Sequence, residues 1–81
     1  MDIHNRLPVF RAERGISRRD LAEAVGVNHQ TIGYLERGDY KPSLELTMKI
    51  ARYFRVSIEM LFSFEPFESI AISLKRVDGD E

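Results

Sequence analysis

Three residues, Gly26-Val27-Asn28, are all that separates two segments that each carry a full set of helix signals, and no other feature of the chain restricts its fold as much. The upstream segment opens at Ser17, where Ser-Arg-Arg-Asp resembles a capping box with Asp20 in place of Glu, and it turns Leu21, Ala22 and Val25 onto one face. Gly26 ends it by taking the positive φ of the turn. The downstream segment opens at Asn28 as its cap, runs to about Arg37 with Ile32 and Leu35 inward, and stops at Gly38. Helices joined this tightly cross steeply instead of forming an antiparallel hairpin, and Ala22 is small enough to let them approach.

The same punctuation recurs on both sides. A first helix is expected from Asn5 to Arg14, with Pro8 tolerated because the N–H it lacks would be unpaired in a first turn, and with Gly15 behind it. Beyond the loop Asp39-Tyr40-Lys41-Pro42, Ser43 caps a fourth helix whose expected apolar stripe is Leu44, Met48, Ala51 and Phe54, with Ile50 beside it. Ser57 caps a short fifth helix ending near Phe62, and no strand signal precedes residue 68. The fold class expected for residues 1–64 is therefore all-α, with five helices.

Residues 65–81 read as an extension. Ile70, Ile72 and Leu74 alternate with Ser69, Ala71, Ser73 and Lys75, the period of a strand with one apolar face, expected over about 69–77. A lone strand is not stable, and the self-complementary partner is the same strand of a second copy. The end, Asp78 to Glu81, reads as acidic and frayed.

Composition narrows the function classes. With 81 residues, 43% of them hydrophobic, the chain supports one core, and it has no cysteine for disulfides or thiolate metal sites. No stretch is apolar enough to span a membrane and MDIHNRLP holds no secretory signal, so a cytoplasmic protein is expected. The net charge of -1 conceals a division. Residues 1–62 carry ten basic and eight acidic side chains, a balance of +2, whereas residues 63–81 carry two and five, a balance of -3. Polyanion binding then depends on where the cations cluster. The two histidines stand 25 residues apart among scattered carboxylates, which supplies neither a nucleophile with its base nor a ligand cluster. No catalysis, metal or cofactor is expected; His4 reads as a mobile terminal residue and His29 as a helix-face residue.

Leu21-Ala22, Gly26-Val27, Thr31-Ile32, Leu35-Glu36-Arg37-Gly38, Pro42-Ser43-Leu44, Ile50-Ala51 and Leu61-Phe62 form a pattern specific in both type and spacing. Through it, the segment Ile16 to Phe62 resembles the lambda-repressor-like, or XRE, family of helix-turn-helix regulators. The resemblance implies a five-helix domain whose third helix enters the major groove of double-stranded DNA, with residues near its N-terminus at base edges. Those positions here are His29, Gln30, Gly33 and Tyr34. Gln30 is the leading reader, since its amide donates to and accepts from adenine in one plane. Arg18 stands where the family usually places a Gln against a phosphate, and guanidinium keeps that role. Arg19, Thr31, Arg37 and Lys41 complete the phosphate-contact set, and the resemblance pairs Arg11 with Glu36 in a salt bridge that orients the recognition helix. Independently, Glu36 interrupts the apolar face next to Leu35 and needs a partner.

The expected function is sequence-specific DNA binding as a homodimer, a transcriptional regulator that represses from a palindromic operator. Phe62, Phe64, Phe67, Ile70, Ile72 and Leu74 exceed what so short a chain readily buries and are assigned to the dimer interface. The alternative carried by that same apolar surface is a protein-interaction module of the same fold, an antitoxin or transcriptional co-activator with a protein partner.

Overall fold

The joint at Gly26 is built as its sequence requires. In the computed structural model, which describes residues 2–67, Gly26 has φ 79°. Its N–H donates to the Ala22 carbonyl at 2.8 Å, and that of Val27 donates to the same oxygen at 3.0 Å. The elements run β1 (His4–Asn5), α1 (Leu7–Arg14), α2 (Arg18–Val25), α3 (His29–Arg37), α4 (Leu44–Phe54), α5 (Ile58–Leu61) and β2 (Phe62–Ser63). α3 packs across α2, and α4 packs on α2 and α5. The described residues form the expected all-α body of five helices, with a short antiparallel pairing of β1 and β2.

One core joins the helices: Leu7, Leu21, Ala22, Val25, Ile32, Leu35, Leu46, Ile50, Ala51, Phe54 and Leu61 are all buried. The stripe expected on α4 is corrected here. Leu44 and Met48 are 73% and 56% exposed, whereas Leu46, Thr47, Ile50, Ala51 and Phe54 are buried. Apolar residues cover more than half the circumference of α4, so periodicity alone admits two neighbouring faces. The docking of Phe54 against Phe10, with ring centroids 5.5 Å apart, chooses between them. Thr47 is tolerated inside because its hydroxyl donates to the Ser43 carbonyl at 2.9 Å.

The start of the chain also departs from expectation. Asn5 does not begin the first helix and His4 is not a loose end: His4 pairs with Ser63 and Asn5 with Phe62, in strands that no local alternation announces. The pairing is a consequence of packing, since burial of Leu7 and Leu61 brings the Arg6 N–H to the Leu61 carbonyl at 2.9 Å. The strand expected at about 69–77 lies outside the described residues.

α4 ends differently from α1, α2 and α3. Its cap is Arg55 at φ 59°, the one residue other than glycine with positive φ among the described residues. The left-handed region costs an L-residue about 1–2 kcal/mol, and glycine's extra freedom in the unfolded chain costs about 0.5–1 kcal/mol. The difference favours glycine. Arg55→Gly should therefore raise stability by about 0.5 kcal/mol, or a few degrees in Tm, by thermal unfolding; a lowered Tm would show that the Arg55 side chain holds contacts that outweigh the strain.

Candidate nucleic-acid interface

α3 is presented by its caps and held by its buried side. The Asn28 side chain accepts from the Gln30 N–H at 2.8 Å, satisfying one of the free donors at the helix start. Ile32 and Leu35 are buried against the core, and His29, Gln30, Tyr34 and Arg37 are exposed on the opposite side. Thr31 is half-buried, and Arg19 and Lys41 are exposed on α2 and on the loop before α4. Gly33 is buried, although Gln30, Tyr34 and Arg37 around it on the outer face are exposed.

α2 brings its N-terminus alongside. Ser17 and Asp20 form a reciprocal capping box, with the Ser17 hydroxyl accepting from the Asp20 N–H at 3.0 Å and the Asp20 carboxylate accepting from the Ser17 N–H at 2.9 Å. The Ser17 backbone N–H, then its hydroxyl, hold the Asp20 carboxyl below its ordinary range. This box starts the helix at Arg18, fixing where that side chain emerges.

Behind the exposed face lies an ion cluster that joins three helices. The Glu36 side chain is 2% exposed, with Arg11 Nε at 2.5 Å from one carboxylate oxygen and Arg18 Nε at 2.8 Å from the other. Arg11 Nη2 also donates to Glu36 at 3.1 Å, and its Nη1 to the Ile16 carbonyl at 3.2 Å. The family resemblance paired Glu36 with Arg11; that Arg18 shares the same carboxylate was not legible, because the angle between α2 and α3 decides it. Arg37 sits 5.1 Å over the Tyr34 ring and pairs with Asp39 at 3.2 Å, an exposed pair that opens at little cost.

Asn5 is the site residue that sequence reasoning missed. Its amide nitrogen donates to the Leu35 and Glu36 carbonyls at 3.0 and 3.2 Å, and its oxygen accepts from the Leu7 N–H at 3.0 Å. It thus ties the end of α3 to the start of α1. Nothing local signals this, since partners thirty residues apart leave no pattern near Asn5.

Of the residues assigned to a dimer interface, Phe62 is half-buried against the core, Phe64 is 63% exposed, and Phe67 lies under the Arg6 guanidinium at 4.1 Å from the ring centroid. Ile70, Ile72 and Leu74 lie outside the described residues. An apolar groove of about 420 Å³ runs beside Phe64, lined by Ile3, Pro42, Ile58 and Phe62 among others. Among the described residues no helix is long and apolar enough to cross a membrane, and no cluster of side chains could hold a metal ion.

A family model described as helix-turn-helix matches residues 10–61. An uncharacterized HTH-type transcriptional regulator of Archaeoglobus fulgidus is 47% identical over 66 residues, covering 82% of this chain and 94% of that protein. A second, from Methanocaldococcus jannaschii, is 45% identical over 64 residues, covering 79% of this chain and 97% of that one. Among solved structures, the restriction-modification controller protein C.AhdI from Aeromonas hydrophila aligns with TM-score 0.62 at 28% identity, over 67% of this chain and 82% of that chain.

Proposed function

Since the chain belongs to the lambda-repressor-like, XRE-type helix-turn-helix family of DNA-binding transcriptional regulators, we propose that it is a cytoplasmic repressor that binds a palindromic operator as a homodimer. α3 lies in the major groove, with His29, Gln30 and Tyr34 toward base edges and Arg19, Thr31, Arg37 and Lys41 toward phosphates on either side. The observation that carries this reading is the division of α3 into a face locked to the core and a face left bare. Ile32, Leu35 and Glu36 are held from behind, so the exposed side chains are presented on a rigid support, as bidentate base contacts need. Dimerisation is supported by the exposed Phe64 beside the apolar groove. The remaining extension to residue 81, with its alternating Ile70, Ile72 and Leu74, supplies the rest of the interface. A two-fold dimer sets the half-sites about 34 Å apart.

Selection of bound fragments from random duplex DNA at about 0.15 M salt tests the reading, because non-specific phosphate binding is weak there. The native protein should recover a two-fold motif. Gln30→Ala should relax that motif at one adenine-bearing position per half-site and weaken binding by about 1–3 kcal/mol. Recovery of no motif would replace this reading with the protein-interaction module, the apolar groove then being the place to look for the partner.

A further inference from the structure

Gly33 stands at the centre of the exposed side of α3, between Gln30 and Arg37, and yet it is buried. Two guanidinium groups cover it. A Cβ at this position would lie 3.4 Å from Arg37 Nη1, 3.6 Å from Arg18 Nη1 and 3.9 Å from Arg18 Cζ. Arg37 belongs to the same helix, but Arg18 comes from the first turn of α2. α3 therefore has no side chain of its own at its middle position, and a guanidinium from the neighbouring helix lies in the space that such a side chain would use.

We propose that Arg18 reads a guanine in the major groove, and is not a phosphate anchor at the groove's edge; the inference rests on the DNA-binding reading above. Three observations carry it. The Arg18 Nε donates to Glu36 at 2.8 Å, and Arg11 clamps the same carboxylate, so the side chain is held at its Nε while its two Nη groups make no hydrogen bond among the described residues. That free end lies over the face of α3 in a cleft of about 170 Å³ lined by Arg18, His29, Gln30, Gly33, Tyr34 and Arg37. A side chain that tracks the backbone would instead extend away from this face. Lastly, two parallel N–H donors at a rigid tip match the O6 and N7 acceptors of guanine, a pattern that no other base pair presents in the major groove. The fork equally matches two phosphate oxygens, so location and not donor chemistry makes the distinction.

The arrangement assigns separate tasks to three residues. Gly33 keeps the floor of the cleft low, Glu36 positions the fork, and Arg18 makes the contact. Gly33 is thus retained for what it leaves open, at the expense of helix propensity.

The test repeats the duplex selection with Arg18→Ala, Arg18→Lys and Gly33→Leu, beside native protein and Gln30→Ala. Lysine keeps the charge and lacks the fork; leucine fills the floor and lifts the fork away. Arg18→Ala and Gly33→Leu should lose the preference for guanine at one position of each half-site, with discrimination there falling by about tenfold to a hundredfold, and Arg18→Lys should fall between them and the native protein, since an ammonium still donates to guanine without the planar fork. The rest of the motif, including the position set by Gln30, should persist. The inference is overturned if the motif is unchanged while Arg18→Ala binds every sequence more weakly and its salt dependence falls by about one phosphate contact. If the native protein itself selects no motif, the DNA-reading function fails and takes this inference with it, whereas a native motif indifferent to Arg18 defeats this inference alone. Arg18 is 46% exposed, so its variants should stay folded, which circular dichroism checks; Gly33→Leu gives an answer that does not depend on changing Arg18.

Discussion

Glu36→Ala should destabilise the protein by about 2–4 kcal/mol, lowering Tm by about 10–20 °C, the largest effect expected of any charged residue here. The carboxylate is 2% exposed and is shared by Arg11 and Arg18, whose side chains are 17% and 46% exposed. Removing one partner of a fully buried pair costs about 3–5 kcal/mol, because the other charge is left desolvated and uncompensated. Arg18 can turn to water and Arg11, itself partly exposed, keeps the Ile16 carbonyl, so the expected loss lies at the lower end of that range and below it. The two pairs should also separate in double-mutant cycles. Coupling of Glu36 to Arg11 should be about 1–3 kcal/mol and to Arg18 below about 1 kcal/mol, since exposure screens the second. Thermal unfolding of the single and double variants measures both, and a Glu36→Ala protein melting within about 2 °C of native would refute the cluster as a support of α3.

Phe54→Ala should cost about 3–5 kcal/mol, enough to threaten the fold of a domain whose total stability is about 4–12 kcal/mol. The side chain is fully buried at the end of α4, with Phe10 and Tyr53 rings at 5.5 and 5.1 Å and the Arg14 guanidinium 5.4 Å from its centroid. Alanine leaves a cavity whose walls are rigid helices, so little of the loss is recovered by collapse. Phe54→Leu restores most of the volume and should cost about 1–1.5 kcal/mol. Urea unfolding distinguishes them: the midpoint should drop steeply for alanine and modestly for leucine with little change in slope. A loss below about 1 kcal/mol for alanine would mean that Phe54 is not the keystone of the α1–α4 contact. Only the backbone carbonyl of Phe54 accepts from Arg14, at 2.7 Å, and that bond survives either substitution.

Between these two residues lies the line dividing what local chemistry makes legible from what it does not. Caps and stops act within a turn, so Ser17, Asn28 and Ser43 mark helix starts, and Gly26 and Gly38 mark ends, wherever the helices later go. The short joint after Gly26 adds the crossing of α2 and α3, and with it the bare face of α3, since two rigid rods tied by three residues have few ways to pack. Spacing also singled out Glu36 as a carboxylate in need of a partner.

Other features wait on how the helices dock. Periodicity could not choose between Leu44 with Met48 and Leu46 with Ile50 as the inner side of α4, because both lie on one broad apolar arc and the position of Phe10 decides. The β1–β2 pairing and the bridge from Asn5 to the end of α3 arise only when the chain's beginning meets α3 and α5. Arg18 over Gly33 is the same kind of fact: each residue alone reads as a surface cation and a weak helix former. By itself the sequence determined the helices, their order and the helix-turn-helix crossing, because caps, turns and apolar periods are interactions within about one or two helical turns. The tertiary structure alone decided which face of α4 is buried and which guanidinium lies over the exposed face of α3, because those depend on interhelical angles and distances set by the packing of the whole core.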